Sequence, residues 1–186
     1  MLIPVSIEIP IIGFLFFFIF FTLYIYNSFF NNFFYKILLV NKKIIEELKK
    51  LALKAKKNDE VPISAIVAKK DKIIFSAYNT CHKSNNPLNH AEMIVINKAL
   101  KKTKRRFLDE FDIYSSLEPC ALCASAISFC RIKRIFFCAY DVKFGAIANG
   151  VKIFNKKNSM FRPKIIGGIE EKFFSQLLKD FFKLKR

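Results

Sequence analysis

The chain has 186 residues, 53% of them hydrophobic, and a formal net charge of +17. That length suits one domain of ordinary size with a buried core, and five cysteines, an odd number without regular spacing, exclude a disulfide-built scaffold. The positive charge points to a polyanion such as nucleic acid, although 26 of the 32 basic residues are lysine, a bias that an A+T-rich genome also produces.

Met1 to Val40 differ from the rest of the chain. They hold one acid, Glu8, and one base, Lys36, with ten phenylalanines between Phe14 and Phe34. Residues 41–186 therefore carry 31 basic against 14 acidic side chains, and with them the whole net charge. Ile11 to Tyr26 is a nearly unbroken apolar run of 16 residues, somewhat short of the roughly 20 that span a bilayer. With no basic leader and no small-residue cleavage site, it does not read as a secretory signal. The expectation adopted is a mis-assigned start, translation beginning near Leu38, Leu39 or Val40. The alternative is a membrane anchor, in which case the lysines from Lys36 onward hold the C-terminal part in the cytoplasm. Under either reading residues 41–186 work in the cytoplasm.

From Asn41 the pattern becomes regular. Ile44, Ile45, Leu48, Leu51, Ala52 and Ala55 recur at helical spacing behind Asn41, a candidate N-cap. Val61 to Lys69 predicts a buried strand, turned by Lys70-Asp71-Lys72 into a second, Ile73 to Tyr78. Asn79 to Asn89 is a polar loop. Next come a helix over Ala91 to Lys102, a strand over Asp112 to Ser116, a helix over Ala121 to Cys130 and a strand over Arg134 to Tyr140. Lys143 to Pro163 is irregular, Lys164 to Ile169 predicts a fifth strand, and Glu170 to Lys185 an amphipathic helix. This alternation predicts an α/β domain with a mixed sheet covered by helices on both faces.

The residues that carry chemistry stand at two helix starts. Cys120 and Cys123 are three apart, which puts both sulfurs on one face, with Pro119 placed for a first-turn proline. The positive end of a helix favours thiolate there. A lone Cys-x-x-Cys also serves redox sites and closed zinc sites, but no second cysteine pair is present to close one. His90, one of only two histidines, opens the other helix with Glu92 two residues on. Three ligands, His90, Cys120 and Cys123, leave zinc an open position for water, whose pKa falls to about 7. Glu92 would shuttle the proton from that water to the substrate and on to a leaving amine. His-x-Glu joined to Pro-Cys-x-x-Cys is the signature of the zinc deaminases. Read blandly, His90 caps a helix and Glu92 is a solvated first-turn acid. Cys81-His82 lacks further ligands and reads as a free thiol beside a surface histidine.

From about Asn41 to Arg186 the sequence resembles the bacterial tRNA-specific adenosine deaminases. The resemblance rests on Val61-Pro62-Ile63, Asn79, His90-Ala91-Glu92, Leu117-Glu118-Pro119-Cys120-Ala121-Leu122-Cys123, Arg131-Ile132, Asp141 to Ala146 and the closing Asp180-Phe181-Phe182. It implies a cytidine-deaminase-like three-layer α/β/α fold with a mixed five-stranded sheet, preceded by the apolar segment 1–40. It also implies a homodimer with one zinc ion per subunit and conversion of adenosine to inosine at the wobble position of a tRNA anticodon, chiefly of an arginine tRNA. His90, Cys120 and Cys123 would bind the metal and Glu92 would be catalytic. Asn79 would hydrogen-bond the flipped base, with Ala91, Asp141, Phe182 and Lys183 as further substrate contacts. For Phe181-Phe182, packing of the last helix is the first expectation and pocket lining the second; Lys183, Lys185 and Arg186 are candidate phosphate contacts. Cys138, Tyr140 and Phe144 depart from the family pattern beside Asp141, where substrate preference is set. Two other functions stay open: a deaminase of free guanine, cytosine or a nucleoside, and a non-catalytic zinc module that binds RNA.

Overall fold

A computed structural model of the chain describes residues 40–185; the expectations for Met1 to Leu39 and for Arg186 lie outside the described residues. The first helix, α1 (Lys42–Lys57), begins where Asn41 Oδ1 accepts a hydrogen bond from Lys43 N at 2.9 Å, a cap worth about 1 kcal/mol. It buries Ile44, Ile45, Leu48, Ala52 and Ala55. Strands β1 (Ser64–Lys69) and β2 (Lys72–Tyr78) form a hairpin. Its two turn residues, Lys70 and Asp71, both take positive φ, as a tight right-twisting hairpin turn requires. The polar loop leads to α2 (Ala91–Thr103), then β3 (Asp112–Leu117), α3 (Ala121–Phe129), β4 (Arg134–Ala139), a short β5 (Lys164–Ile166) and α4 (Glu171–Lys183).

The sheet has the order β2-β1-β3-β4-β5, antiparallel across its first two pairings and parallel across the last two. This is the expected mixed five-stranded sheet with four helices. Strand alternation divides the core. Ala65, Val67, Ile113, Ile135 and Phe137 pack with Ala91, Val95 and Ile96 of α2 and Ala124 and Ile127 of α3. The alternate residue Ser64 donates its Oγ hydrogen to Leu48 O of α1. Lys49 of α1 reaches Glu170 and the Phe173 ring at the start of α4, so α1 and α4 lie together. Among the described residues no helix is long and apolar enough to cross a membrane.

The structure shortens three predicted strands. The first starts at Ser64 rather than Val61, because Pro62 has no N–H to give a ladder. The fourth stops at Ala139, leaving Tyr140 outside. The fifth stops at Ile166: Gly167 passes over the Phe137 ring, where a Cβ would lie 2.7 Å from ring carbons. Pro119 is not a first-turn residue either; Cys120 is the N-cap of α3 and Pro119 precedes it.

Candidate metal centre and active site

Two helices on one face bring their starts together. His90 is the N-cap residue of α2 and Cys120 that of α3, and neither side chain makes a capping hydrogen bond. Their polar atoms turn to each other instead. His90 Nδ1 lies 3.6 Å from Cys120 Sγ and 3.5 Å from Cys123 Sγ, and the three ligand atoms all fall within 4.8 Å of one another. A tetrahedral zinc ion, with bonds of about 2.0–2.1 Å to nitrogen and 2.3 Å to sulfur, separates N from S by about 3.6 Å. The donor set therefore fits zinc in both kind and spacing, and leaves one coordination position open.

The electrostatics match that use. Cys120 is pulled well below the usual thiol range, first by the Cys123 thiol it accepts from, and then by His90, against the opposing effect of burial. Cys123 is pushed up because it holds the shared proton and is buried. Hydrogen bonding to Cys120 raises His90. A bound dication favours both sulfurs as thiolates and displaces the proton they share.

Glu92, 4% exposed, lies within α2's first turn. Ser115 donates its Oγ hydrogen to Glu92 Oε1 at 3.0 Å. Burial raises the carboxyl above its ordinary range despite that bond. A buried carboxylate with raised proton affinity, beside a metal site, is equipped to pick up and release a proton. This is not the solvated first-turn acid of the bland reading.

The other candidates surround this centre unevenly. Asn79 is 4% exposed at the end of β2. Thr80 N, next to it, donates to Asn89 O beside His90, so the polar loop returns on itself and sets Asn79 near the cluster. Ala91, a substrate-contact candidate, is completely buried in the core. Asp141 Oδ1 is occupied as the acceptor of Lys143 N and Phe144 N. Phe181 and Phe182 divide: Phe181 is buried and Phe182 half exposed, so packing holds for one and pocket lining for the other. Lys183 borders a depression with Leu178, Lys179 and Phe182. Lys185 is held by Asp59 at 2.5 Å. Cys81 donates its thiol hydrogen to Asn79 Oδ1 at 3.3 Å.

A groove of about 680 Å³ is lined by Asp141 and Leu117 among others, but by none of His90, Glu92, Cys120, Cys123 or Asn79. Tyr140, Phe144, Leu178 and Phe182 supply apolar walls, with Lys143 and Lys179 along it. Cys138, grouped with Tyr140 and Phe144 as a departure from the family pattern, is buried inside the sheet and does not line it.

Two buried acids do work that the sequence did not disclose. Glu118 is 2% exposed. Its Oε1 accepts from the backbone N–H groups of Ile147, Ala148 and Asn149, and its Oε2 from Asp141 N and Asn149 Nδ2. Burial pushes its pKa up, but those bonds together prevail and hold it below its ordinary range. Gly145 must be glycine here, since a Cβ would sit 2.5 Å from the Glu118 carboxyl carbon. Through the bridge from Gly145 to Cys120 and the bond from Ala146 N to Pro119 O, the groove-lining loop is tied to the metal-ligand turn. The second acid, Glu60, holds the polar loop. Leu-Glu-Pro-Cys marked Glu118 only as part of a motif, Glu60 followed the polar run Lys56-Lys57-Asn58-Asp59 like any surface acid, and Ser115 was one polar residue in an apolar strand.

An α/β sheet that sets one histidine, two cysteines and a buried glutamate at two helix starts defines a zinc-dependent deaminase fold. The model of the cytidine and deoxycytidylate deaminase zinc-binding region matches residues 40–139. A tRNA-specific adenosine deaminase of Rickettsia bellii is 42% identical over 140 residues, covering 74% of this chain and 96% of that protein. A solved structure from work on A-to-I editing by tRNA:A34 deaminases at the wobble position superposes with a TM-score of 0.72 at 33% identity, over 74% of this chain and 100% of its own. A guanine deaminase from Nitrosomonas europaea shares the fold, with a TM-score of 0.63 at 16% identity, over 73% of this chain and 81% of its own. The chain belongs to the tRNA-specific adenosine deaminases, within the zinc-binding cytidine and deoxycytidylate deaminase family.

Proposed function

We propose that the protein hydrolyses adenosine to inosine at the wobble position of a tRNA anticodon, chiefly that of an arginine tRNA. The observation that carries the reading is the placing of His90 Nδ1 at zinc-ligand distance from two thiols, with the buried carboxyl of Glu92 alongside. His90, Cys120 and Cys123 hold the zinc ion. When bound, the ion makes water acidic enough to supply hydroxide at neutral pH. Glu92 takes the proton of the attacking water and gives it to ring nitrogen N1 as the C6–O bond forms; it then carries the C6 hydroxyl proton to N6, the C6–N6 bond breaks, and ammonia leaves. Ser115, donating to Glu92 Oε1, keeps the carboxyl aimed while it cycles.

RNA rather than a free base is supported by the relatives' activity and by the groove. Exposed Phe144 and Phe182, with Lys143 and Lys179 between them, suit unpaired bases and their phosphates. An anticodon loop offers a base already unpaired, which lowers the cost of extruding it. Asn79 holds that base, with Ala91, Asp141, Phe182 and Lys183 as further contacts. Residues 41–186 form this domain and act in the cytoplasm, where tRNA is found. A homodimer is supported by α3, whose sequence has no charged residue and whose outer face exposes Leu122 and Phe129; a helix apolar on both sides needs a second cover.

The test is incubation of the zinc-loaded protein with an arginine tRNA carrying A at the wobble position, read by sequencing for inosine. Inosine at that position is the expected result. Its absence, with free guanine, cytosine or a nucleoside turned over instead, overturns the RNA reading.

A further inference from the structure

Glu60 is wholly buried between α1 and β1, and among the described residues it forms no ion pair. Three N–H donors meet it instead. Lys83 N donates to Oε1 at 2.7 Å, and His82 N at 3.2 Å and Asn79 Nδ2 at 3.1 Å donate to Oε2. α1 ends at Asn58, Asp59 takes positive φ, and Glu60 N returns to Ala55 O at 3.0 Å, so the side chain is delivered inward by a closed turn. With the Lys83 N–H on one oxygen and the His82 N–H on the other, both carboxyl oxygens act as acceptors. The Asn79 amide must therefore present its NH2 to Glu60, and its Oδ1 is left to accept from Cys81 Sγ at 3.3 Å. Flipping the amide would set oxygen against oxygen. One N–H and one lone pair remain on Asn79, in a fixed sense, for a ligand.

We infer that Glu60 is a positioning residue: by pinning the Asn79 amide and the loop that returns to His90, it sets which hydrogen-bonding pattern the reactive base meets. The inference rests on the base-holding role proposed for Asn79. Glu60→Gln keeps the shape but puts an NH2 against an N–H donor whichever way it turns. In the zinc-loaded full chain, assayed below its lowered thermal midpoint, it reduces kcat/KM on an anticodon stem-loop roughly tenfold or more, with zinc content close to wild type. Because Glu60 acts in part through Asn79, adding Glu60→Gln to Asn79→Ala costs clearly less than the product of the two single effects. Asn79→Asp sets two carboxylates together and loses activity; combining it with Glu60→Gln restores a donor–acceptor contact in the opposite sense and recovers part of the loss. Multiplying effects in the first double variant, or no recovery in the second, overturn the inference.

If Glu60→Gln does not fold, side-chain amide NMR of the unaltered protein reads the contact directly. The Asn79 NH2 pair, assigned by its loss in Asn79→Ala, should carry one proton displaced downfield and protected from exchange, and an ordinary solvent-exposed pair overturns the inference. A wild-type protein that shows this signature and yet leaves tRNA unedited counts against the reaction, not against the contact.

Discussion

Glu92 and Glu118 are both carboxylates with almost no solvent exposure, 4% and 2%, and both stand two residues from a metal ligand. Their surroundings drive them apart. Glu92 receives the Ser115 hydroxyl and the Cys123 thiol but no N–H of another residue, so burial prevails and its proton affinity rises. Glu118 is just as enclosed, but three backbone N–H groups surround one oxygen and two more donors reach the other, and its proton affinity falls. The floor of the site keeps an acid poised to change its protonation, and the rim keeps one locked as an anion. Deep desolvation of the one and the many N–H donors of the other together decide which is which.

The largest test of that contrast is Glu92→Ala, which should lower single-turnover deamination by about 10²–10⁴-fold while metal analysis still finds one zinc per chain. Activity near wild type would remove Glu92 from its role. Chelation should abolish activity and lower the thermal midpoint, and zinc should restore both. Cys123→Ser, at a fully buried ligand, should not recover on adding zinc.

Glu118→Gln sharpens the other half. It strands several buried N–H donors, for an expected loss of about 2 kcal/mol in chemical denaturation at neutral pH. Glu118 titrates in the folded state below its ordinary range, so its contribution is present above the ordinary carboxylate pKa and fades as pH falls through the lowered one. The gap between wild type and Glu118→Gln should close in acid. Glu92 has the opposite sign: its raised value means stability present at low pH and lost as pH rises through it. In metal-free protein, Glu92→Gln should therefore be at least as stable as wild type at neutral pH. Equal penalties for both variants would break the contrast.

The smallest effects belong to the rim that Glu118 holds. Phe144→Ala should raise KM for tRNA about tenfold, from the loss of base stacking, with stability little changed because Phe144 is 63% exposed. Phe181→Ala, by comparison, should cost about 3 kcal/mol of stability, because Phe181 fills the core beside the half-exposed Phe182.

Much of the fold was legible because it is periodic. Ile44, Leu48, Ala52 and Ala55 mark one helical stripe, and Phe174, Leu177 and Phe181 another; Phe182 stands one residue past the second stripe, about 100° further round the helix, which is why it turns to the groove. The metal ligands were legible because their spacing is local to two helix starts. Glu60 and Glu118 were not. Their partners are backbone N–H groups 22 to 31 residues away, and a backbone N–H has no side-chain identity to read.

What the sequence determined alone was therefore the set of reactive groups and the phase of each helix: His90 with Glu92, Cys120 with Cys123, and the apolar stripes that say which face turns inward. Only the tertiary structure decided how they act. Pairing β3 beside β4 with α2 and α3 on one face brought His90 within 3.6 Å of cysteines 30 and 33 residues on. Enclosing two glutamates in unlike surroundings raised the proton affinity of one and lowered that of the other. Local spacing is written in side chains, but donor count and burial arise only when distant backbone closes around a group.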